Sequence, residues 1–160
     1  MRGMCRVGPA LVVAVIAGLV LPACRNGNAG TGDSEGPGIN APDYTGEWTL
    51  WMIGTDEVSG LLPAGSPAPS LSIASDGVVG GNAGVNRLES RFDASAASRG
   101  EPLFGPMVTT KMAGPEPLMS LERRFTEALS RAARASIEAG NLELYDGAGN
   151  RLVVMTPMGR

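Results

Sequence analysis

Apolar residues fall along this chain in one unbroken run and two rhythms. Residues 10–21 (ALVVAVIAGLVL) are apolar throughout. Residues 48–53 (WTLWMI) are dense in aromatic and aliphatic groups, and 70–74 alternate with Leu71 and Ile73 on one face, the two-residue period of a half-buried strand. Asp76-Gly77 supplies the positive-φ chemistry of a tight hairpin leading into Val78-Val79. Residues 88–92 and 103–108 are further short strands by pattern. Residues 135–138, 142–145 and 151–155 read as a meander, turned by Gly140-Asn141 and by Asp146-Gly147 with Gly149-Asn150. One stretch keeps the other rhythm: in 117–134, Leu118, Leu121, Phe125, Ala128, Leu129 and Ala132 recur at helical spacing. Pro117 suits a first helical turn, and Arg131 and Arg134 would face the negative end of the helix dipole in the last. The pattern predicts an α+β domain: an antiparallel, strongly curved sheet or cracked half-barrel of about seven or eight short strands with one packed helix. The turn-rich stretch 54–69 is expected to be its mobile loop.

The apolar run at 10–21 belongs to a different argument. Arg2 and Arg6 precede it and Leu21-Pro22-Ala23-Cys24 follows it, the layout of an export signal. Twelve helical residues rise about 18 Å against roughly 30 Å of hydrocarbon, and Pro9 and Pro22 bracket the run, which disfavours a spanning helix. Leu21-Pro22-Ala23-Cys24 resembles a bacterial lipobox, in which the cysteine is lipidated before cleavage on its N-terminal side; Pro22 is an unusual residue at its position. Ordinary secretion, with Cys24 left as a thiol, is the competing reading, but Leu21 fits poorly where simple secretory cleavage wants a small residue. Residues 25–43, with a single large apolar group (Ile39), cannot bury enough surface to offset their ordering entropy. The expected organisation is a lipoprotein-type signal peptide (1–23), a lipidated Cys24 with a disordered tether (24–43) and one domain (44–160).

Composition narrows the chemistry. The 160 residues include no histidine, which rules out Ser-His-Asp and Cys-His relays and any histidine-bearing metal site. The two cysteines are Cys5, in the leader, and Cys24, at the lipobox, so no thiol catalysis or internal disulfide is expected in the mature domain. Loss of residues 1–23 removes Arg2 and Arg6, leaving 11 of the 13 basic side chains against 16 acidic ones, a net charge of −5. Such a balance offers no general attraction to nucleic acid or anionic lipid.

With the elements placed, four stretches in order resemble the META domain, the HslJ-like family of bacterial envelope proteins. Trp48-Thr49-Leu50 is similar to its opening strand, and Val78-Val79-Gly80-Gly81-Asn82-Ala83-Gly84-Val85-Asn86-Arg87 to its glycine-rich signature. Residues 103–115 resemble a third block. Glu122, Phe125 and Ala128-Leu129, followed by Leu142, Leu144, Gly149 and Leu152, resemble the helix and closing hairpin. The resemblance implies a small half-open barrel with one helix, in proteins associated with envelope stress, heat shock and resistance to certain antibiotics, and it carries no catalytic residue. Where the family usually has two cysteines, this chain has Val85 and Gly114. If those cysteines pair in relatives, their joint loss implies that the two loops approach each other and that the cross-link is dispensable.

Six residues stand out for possible chemistry. Gly81, Gly84, Asn86 and Arg87 form a polar, glycine-rich loop that either grips an anion through backbone N–H groups or simply builds a tight turn, with Asn satisfying the backbone itself. Thr110 and Lys111, the sole lysine, would need a desolvated setting to do chemistry; a solvated strand end is the simpler expectation. The helix cations Arg123, Arg124, Arg131 and Arg134 could form a contact surface for phosphate-bearing lipid or a partner protein. But Glu127 lies four residues from both Arg123 and Arg131, an arrangement of mutually supporting surface pairs, and a solvated face is the simpler expectation. Most of the seven aromatics are expected to face the core. Carboxylate pairs such as Asp56-Glu57 leave open a small carboxylate-dependent hydrolase or an inhibitor-like secreted protein. The main expectation is a non-enzymatic lipoprotein without cofactor or metal, facing periplasm or exterior from the cell membrane or outer membrane. It is anchored through Cys24 and bears a domain that serves envelope stress response or binds a hydrophobic ligand or envelope partner.

Overall fold

The computed structural model describes residues 43–159, so the expected signal peptide (1–23), Cys24 and nearly all of the expected tether lie outside the described residues. Nine strands form the domain: β1 (Gly46–Ile53), β2 (Asp56–Glu57), β3 (Ser70–Ile73), β4 (Val78–Asn82), β5 (Arg87–Arg91), β6 (Val108–Thr109), β7 (Arg134–Glu138), β8 (Asn141–Tyr145) and β9 (Arg151–Pro157). They make one antiparallel sheet in the order β6-β5-β4-β3-β1-β9-β8-β7, with β2 paired to β1. Two meanders, β3 to β6 and β7 to β9, flank the long first strand. The sheet does not close, and β6 and β7 end its path. Two hydrogen bonds reach β7 and its lead-in from elsewhere in the chain: the Leu103 N–H donates to the Ala132 carbonyl at 2.8 Å and the hydroxyl of Tyr44, just before β1, to the Ala135 carbonyl at 3.0 Å.

The alternation in β1 carries a break. Trp48 and Leu50 are buried two residues apart, but the next buried position is Ile53. The pairing with β9 shifts between Leu50 and Met52. This bulge spends one extra residue, returns Ile53 to the core and turns Trp51 outward, 45% exposed. Trp51 therefore departs from the expectation that the aromatics mostly face inward.

The long helix, α2 (Glu116–Arg131), follows the short α1 (Ala96–Arg99) and buries Leu121, Phe125, Ala128 and Leu129 against the sheet. It stops earlier than expected. The Ala132 carbonyl is taken by Leu103 and the Ala133 N–H by the Tyr145 carbonyl, so sheet partners draw the chain out of the helix. Arg134 consequently belongs to β7, its guanidinium 3.9 Å above the Tyr145 ring, rather than to the last helical turn. Residues 103–108 are not one strand either. Phe104 makes a single bridge to Phe92, Pro106 has no N–H to donate, and pairing resumes only at Val108–Thr109.

The expected mobile loop at 54–69 is instead tied down. It holds β2 and a turn of 3₁₀ helix (Val58–Gly60). Val58 is 1% exposed, Leu61, Leu62 and Ala68 pack on the core, and the Leu50 N–H donates to the Pro69 carbonyl at 2.8 Å. Its apolar side chains, sparse among glycines and prolines, were enough to anchor it.

Candidate functional site

The glycine-rich turn between β4 and β5 builds a polar knot. The Asn82 side chain accepts from the Gly84 N–H at 2.8 Å and the Ala83 N–H donates to the Asn86 carbonyl at 2.8 Å, closing the turn. Gly84 lies at φ +143°, a region that favours glycine, and a methyl there would stand 3.1 Å from the Leu118 carbonyl of α2. The close approach of backbone to helix puts Asn86, 2% exposed, beside Glu122. Glu122 Oε2 accepts from the N–H groups of Val85 (3.0 Å) and Asn86 (2.9 Å), and its Oε1 accepts from Asn86 Nδ2 (2.8 Å). Asn86 Nδ2 also donates to the Met112 carbonyl (3.2 Å), while Oδ1 accepts from the Thr110 hydroxyl (2.9 Å) and the Met112 N–H (2.7 Å). Both donors and both lone pairs of the amide are thus used. The knot joins three separate segments and leaves Asn86 no free group for an anion.

The six loop residues therefore part company. Gly84, Asn86, Thr110 and the backbone of Arg87 meet in the knot, with the Arg87 N–H donating to Thr110 Oγ1 (3.2 Å) and the Thr110 N–H to the Arg87 carbonyl (3.1 Å). Gly81 sits in β4 opposite Leu71 and Leu88, against the Ser70 carbonyl. Lys111 is exposed and, among the described residues, takes no hydrogen bond or ion pair from its side chain. Cys24 lies outside the described residues. Sequence reasoning did not single out Glu122 as a knot member. The signal was its position: four residues after Leu118 and three before Phe125, it is a carboxylate at the edge of the helix's apolar stripe, where a charge must find partners.

Val85 and Gly114 do face each other, as the paired loss of cysteines implied. A Cβ built on Gly114 would lie 3.3 Å from Val85 Cβ and press into its methyl groups. Disulfide-linked Cβ atoms sit roughly 3.5–4.5 Å apart, so valine methyls fill the space that a cross-link would occupy.

A groove of about 750 Å³ opens beside Asp43, Asp76, Asp93 and Glu101, with Tyr44, Ile73, Phe92 and Leu103 beneath. Asp93 accepts from Ser95 at 2.6 Å and from Arg99 at 2.7 Å, and these bonds, Ser95's foremost, hold its carboxyl at about 2. The Thr45 N–H lowers Asp43, and Asn150 lowers Asp146. Among the described residues, Asp43, Asp93 and Asp146 are thus held below the ordinary carboxylate range by hydrogen bonds to their ionised forms. Asp56 is engaged by Arg124 at 2.7 Å and Glu57 by the Ser59 hydroxyl at 3.0 Å, both on exposed surface. Burial raises Tyr44, and donation to Glu143 raises Tyr145. Among the described residues no group of three or more Asp, Glu, Cys or His is placed to hold a metal ion.

On α2, Glu127 reaches Arg131 at 3.9 Å, whereas Arg123 donates to Ser120 at 3.4 Å instead of pairing with Glu127. Among the described residues no helix is long and apolar enough to cross a membrane.

The sequence model of one family, the META domain, matches residues 43–158. No curated protein matches the chain. Three solved structures are similar. A protein solved by NMR is 17% identical over 70% of this chain and 88% of its own, with a TM-score of 0.52. A second NMR structure, from Burkholderia xenovorans, is 19% identical over 75% of this chain and 93% of its own, with a TM-score of 0.51. A crystallised DUF4847 family protein from Bacteroides vulgatus is 14% identical over 70% and 92%, with a TM-score of 0.45.

Proposed function

The chain belongs to the META domain family, and from that premise we propose that it is a non-catalytic lipoprotein of the bacterial envelope, anchored through Cys24 and engaging a hydrophobic ligand or envelope partner. The observation that carries the reading is Leu21-Pro22-Ala23-Cys24 directly after a short apolar run, with the family match beginning only at residue 43. A diacyl chain on Cys24 would suffice for stable anchoring, each buried CH₂ contributing about 0.8 kcal/mol. The intervening residues would hold the domain clear of the bilayer as a tether. The non-catalytic reading is supported by a saturated Asn86 and by the downward-shifted carboxylates, and the envelope-stress role by the family resemblance. Binding is supported by an open sheet, a cracked half-barrel in outline, whose groove runs over Tyr44, Ile73, Phe92 and Leu103.

Intact-mass analysis of the membrane-extracted protein tests the anchor. Loss of residues 1–23 with acyl mass on Cys24 is expected, and an unmodified soluble chain would overturn it. Native mass spectrometry after exposure to envelope lipid extract and to apolar peptides tests the ligand. A domain that stays bare throughout, and captures no envelope protein by cross-linking, has a purely structural role.

A further inference from the structure

A second concavity lies on the opposite chemistry from the acidic groove. It is a cleft of about 210 Å³ between α2 and the β1 and β9 strands, with Ile53, Ala128 and Leu152 among its lining and Arg124, Arg131 and Arg151 at its rim. Glu127 is the sole acid in that lining. A guanidinium carries more N–H donors than any other side chain, and these three leave most of theirs unspent. Arg124 gives one good bond to Asp56 at 2.7 Å. Arg131 reaches Asp146 at 3.3 Å and Glu127 at 3.9 Å. The Asp146 carboxylate already accepts from the N–H groups of Ala148 and Asn150 and from Asn150 Nδ2. Arg151 approaches Glu143 only to 3.7 Å, and Glu143 Oε2 is taken by the Tyr145 hydroxyl at 2.7 Å. Among the described residues the Arg151 side chain donates no hydrogen bond within the protein, its nearest approach to an acid being that 3.7 Å.

Two of the three cations thus face carboxylates that other donors have already engaged. They come from different elements, Arg131 from α2 and Arg151 from β9, and the fold brings them to one small cleft. The geometry points to a binding site for a phosphate-bearing ligand in this cleft. A tetrahedral dianion suits a cleft lined by three guanidiniums better than a planar monoanion does, because its oxygens can accept from different guanidiniums at once. The group is either a soluble phosphate ester or a lipid headgroup; both present the same oxygens to the cleft. The assignment does not rest on lipidation of Cys24.

Titration of inorganic phosphate into the purified protein at constant ionic strength, followed by ¹H–¹⁵N NMR, tests the site. Saturable shifts are expected at the Gly54, Ala128 and Leu152 amides and at the Arg131 and Arg151 Nε–H groups. Arg131→Gln with Arg151→Gln weakens the apparent Kd by at least about tenfold, while Arg123→Gln, on the same helix outside the cleft, leaves it unchanged. Arg151→Gln alone removes no hydrogen bond and weakens binding severalfold, which keeps the test open should the double variant be unstable. Shifts that stay linear, that acetate reproduces equally, or that persist in the double variant overturn the assignment. Flotation with phosphatidylcholine vesicles, with and without phosphatidic acid, separates the two sources. Phosphatidate-dependent binding lost in the double variant supports the headgroup, and saturation by free phosphate without vesicle binding supports a soluble ester.

Discussion

Asn86 and Glu122 are bonded to each other twice, from the Asn86 N–H to Oε2 at 2.9 Å and from Asn86 Nδ2 to Oε1 at 2.8 Å. This pair crosses from the turn after β4 to the body of α2, so one carboxylate sets the position of the helix on the sheet. Gly84 is suited to this place by its φ of +143° and by the close approach of its backbone to the Leu118 carbonyl.

Asn86→Ala would leave Glu122 Oε1, the Met112 backbone and Thr110 without their shared partner. A buried group left unsatisfied costs about 1–3 kcal/mol, and several are affected here. A loss of about 2–4 kcal/mol is expected in urea unfolding. Asn86→Asp sets a second carboxylate against Glu122, so its deficit is larger near neutral pH and shrinks in acid. Equal deficits at both pH values would show that a charge at position 86 is irrelevant to the knot.

The contact between Val85 and Gly114 makes a cross-link feasible. In the Val85→Cys, Gly114→Cys double variant, sulfur replaces the valine methyls that fill the gap, and the built Cβ separation of 3.3 Å is only slightly short for a disulfide. Spontaneous oxidation is expected, with a gain of about 2–4 kcal/mol that a reductant abolishes. Peptide mapping identifies the bond and paired urea curves give the gain. Gly114→Cys alone should destabilise, because its side chain would meet Val85 intact.

Much of this architecture is legible in the residues. Alternation at Leu71 and Ile73, the Asp76-Gly77 turn and the strands of the closing meander appear where the pattern puts them, because each is local. But the β7–β8 turn falls one residue early, at Ala139-Gly140, with Asn141 already in β8 and paired to Glu138. The other misses are tertiary. The early end of α2 depends on Leu103 and Tyr145, distant in sequence, capturing the backbone at Ala132 and Ala133. The outward turn of Trp51 depends on a bulge that only the pairing with β9 defines. Within the site, Asn86 was visible as a polar residue among glycines, but Glu122 became readable only when its place at the edge of the apolar stripe was set beside the turn it serves. Of the arginine cleft, Arg124 and Arg131 stood out as helix cations that a phosphate-bearing lipid could contact, but Arg151 joins them only through the fold.

Asp93 gives the domain a defined acid response. Hydrogen bonds from Ser95, then Arg99, lower its carboxyl from an ordinary 3.8 to about 2. A depressed carboxylate stabilises the fold fully above its unfolded value, and that contribution drains away as pH falls through the folded value. Asp93→Asn should therefore lower the urea midpoint near neutral pH, and the gap to wild type should close between about pH 4 and pH 2. Asp43 and Asp146, also lowered, add an acid slope common to both proteins. A gap constant across that window would place the effect in packing around α1 and not in the ionised carboxylate.

The adjacent glycines of β4 make opposite demands. A methyl on Gly81 would run into the Ser70 carbonyl and stand 3.2 Å from Leu71 Cα, backbone that cannot swing aside. A methyl on Gly80 meets nothing within 4 Å, and neither residue needs a positive φ. Gly81→Ala is expected to cost about 1–3 kcal/mol through overpacking, whereas Gly80→Ala should stabilise by about 0.4–1 kcal/mol, because it narrows the unfolded ensemble without strain. Thermal or urea unfolding of the two variants side by side decides the matter. If Gly81→Ala unfolds like wild type, the close approach of β3 does not require glycine there. If both variants are destabilised alike, the cost lies in strand propensity, and contact with Ser70 is not what selects glycine there.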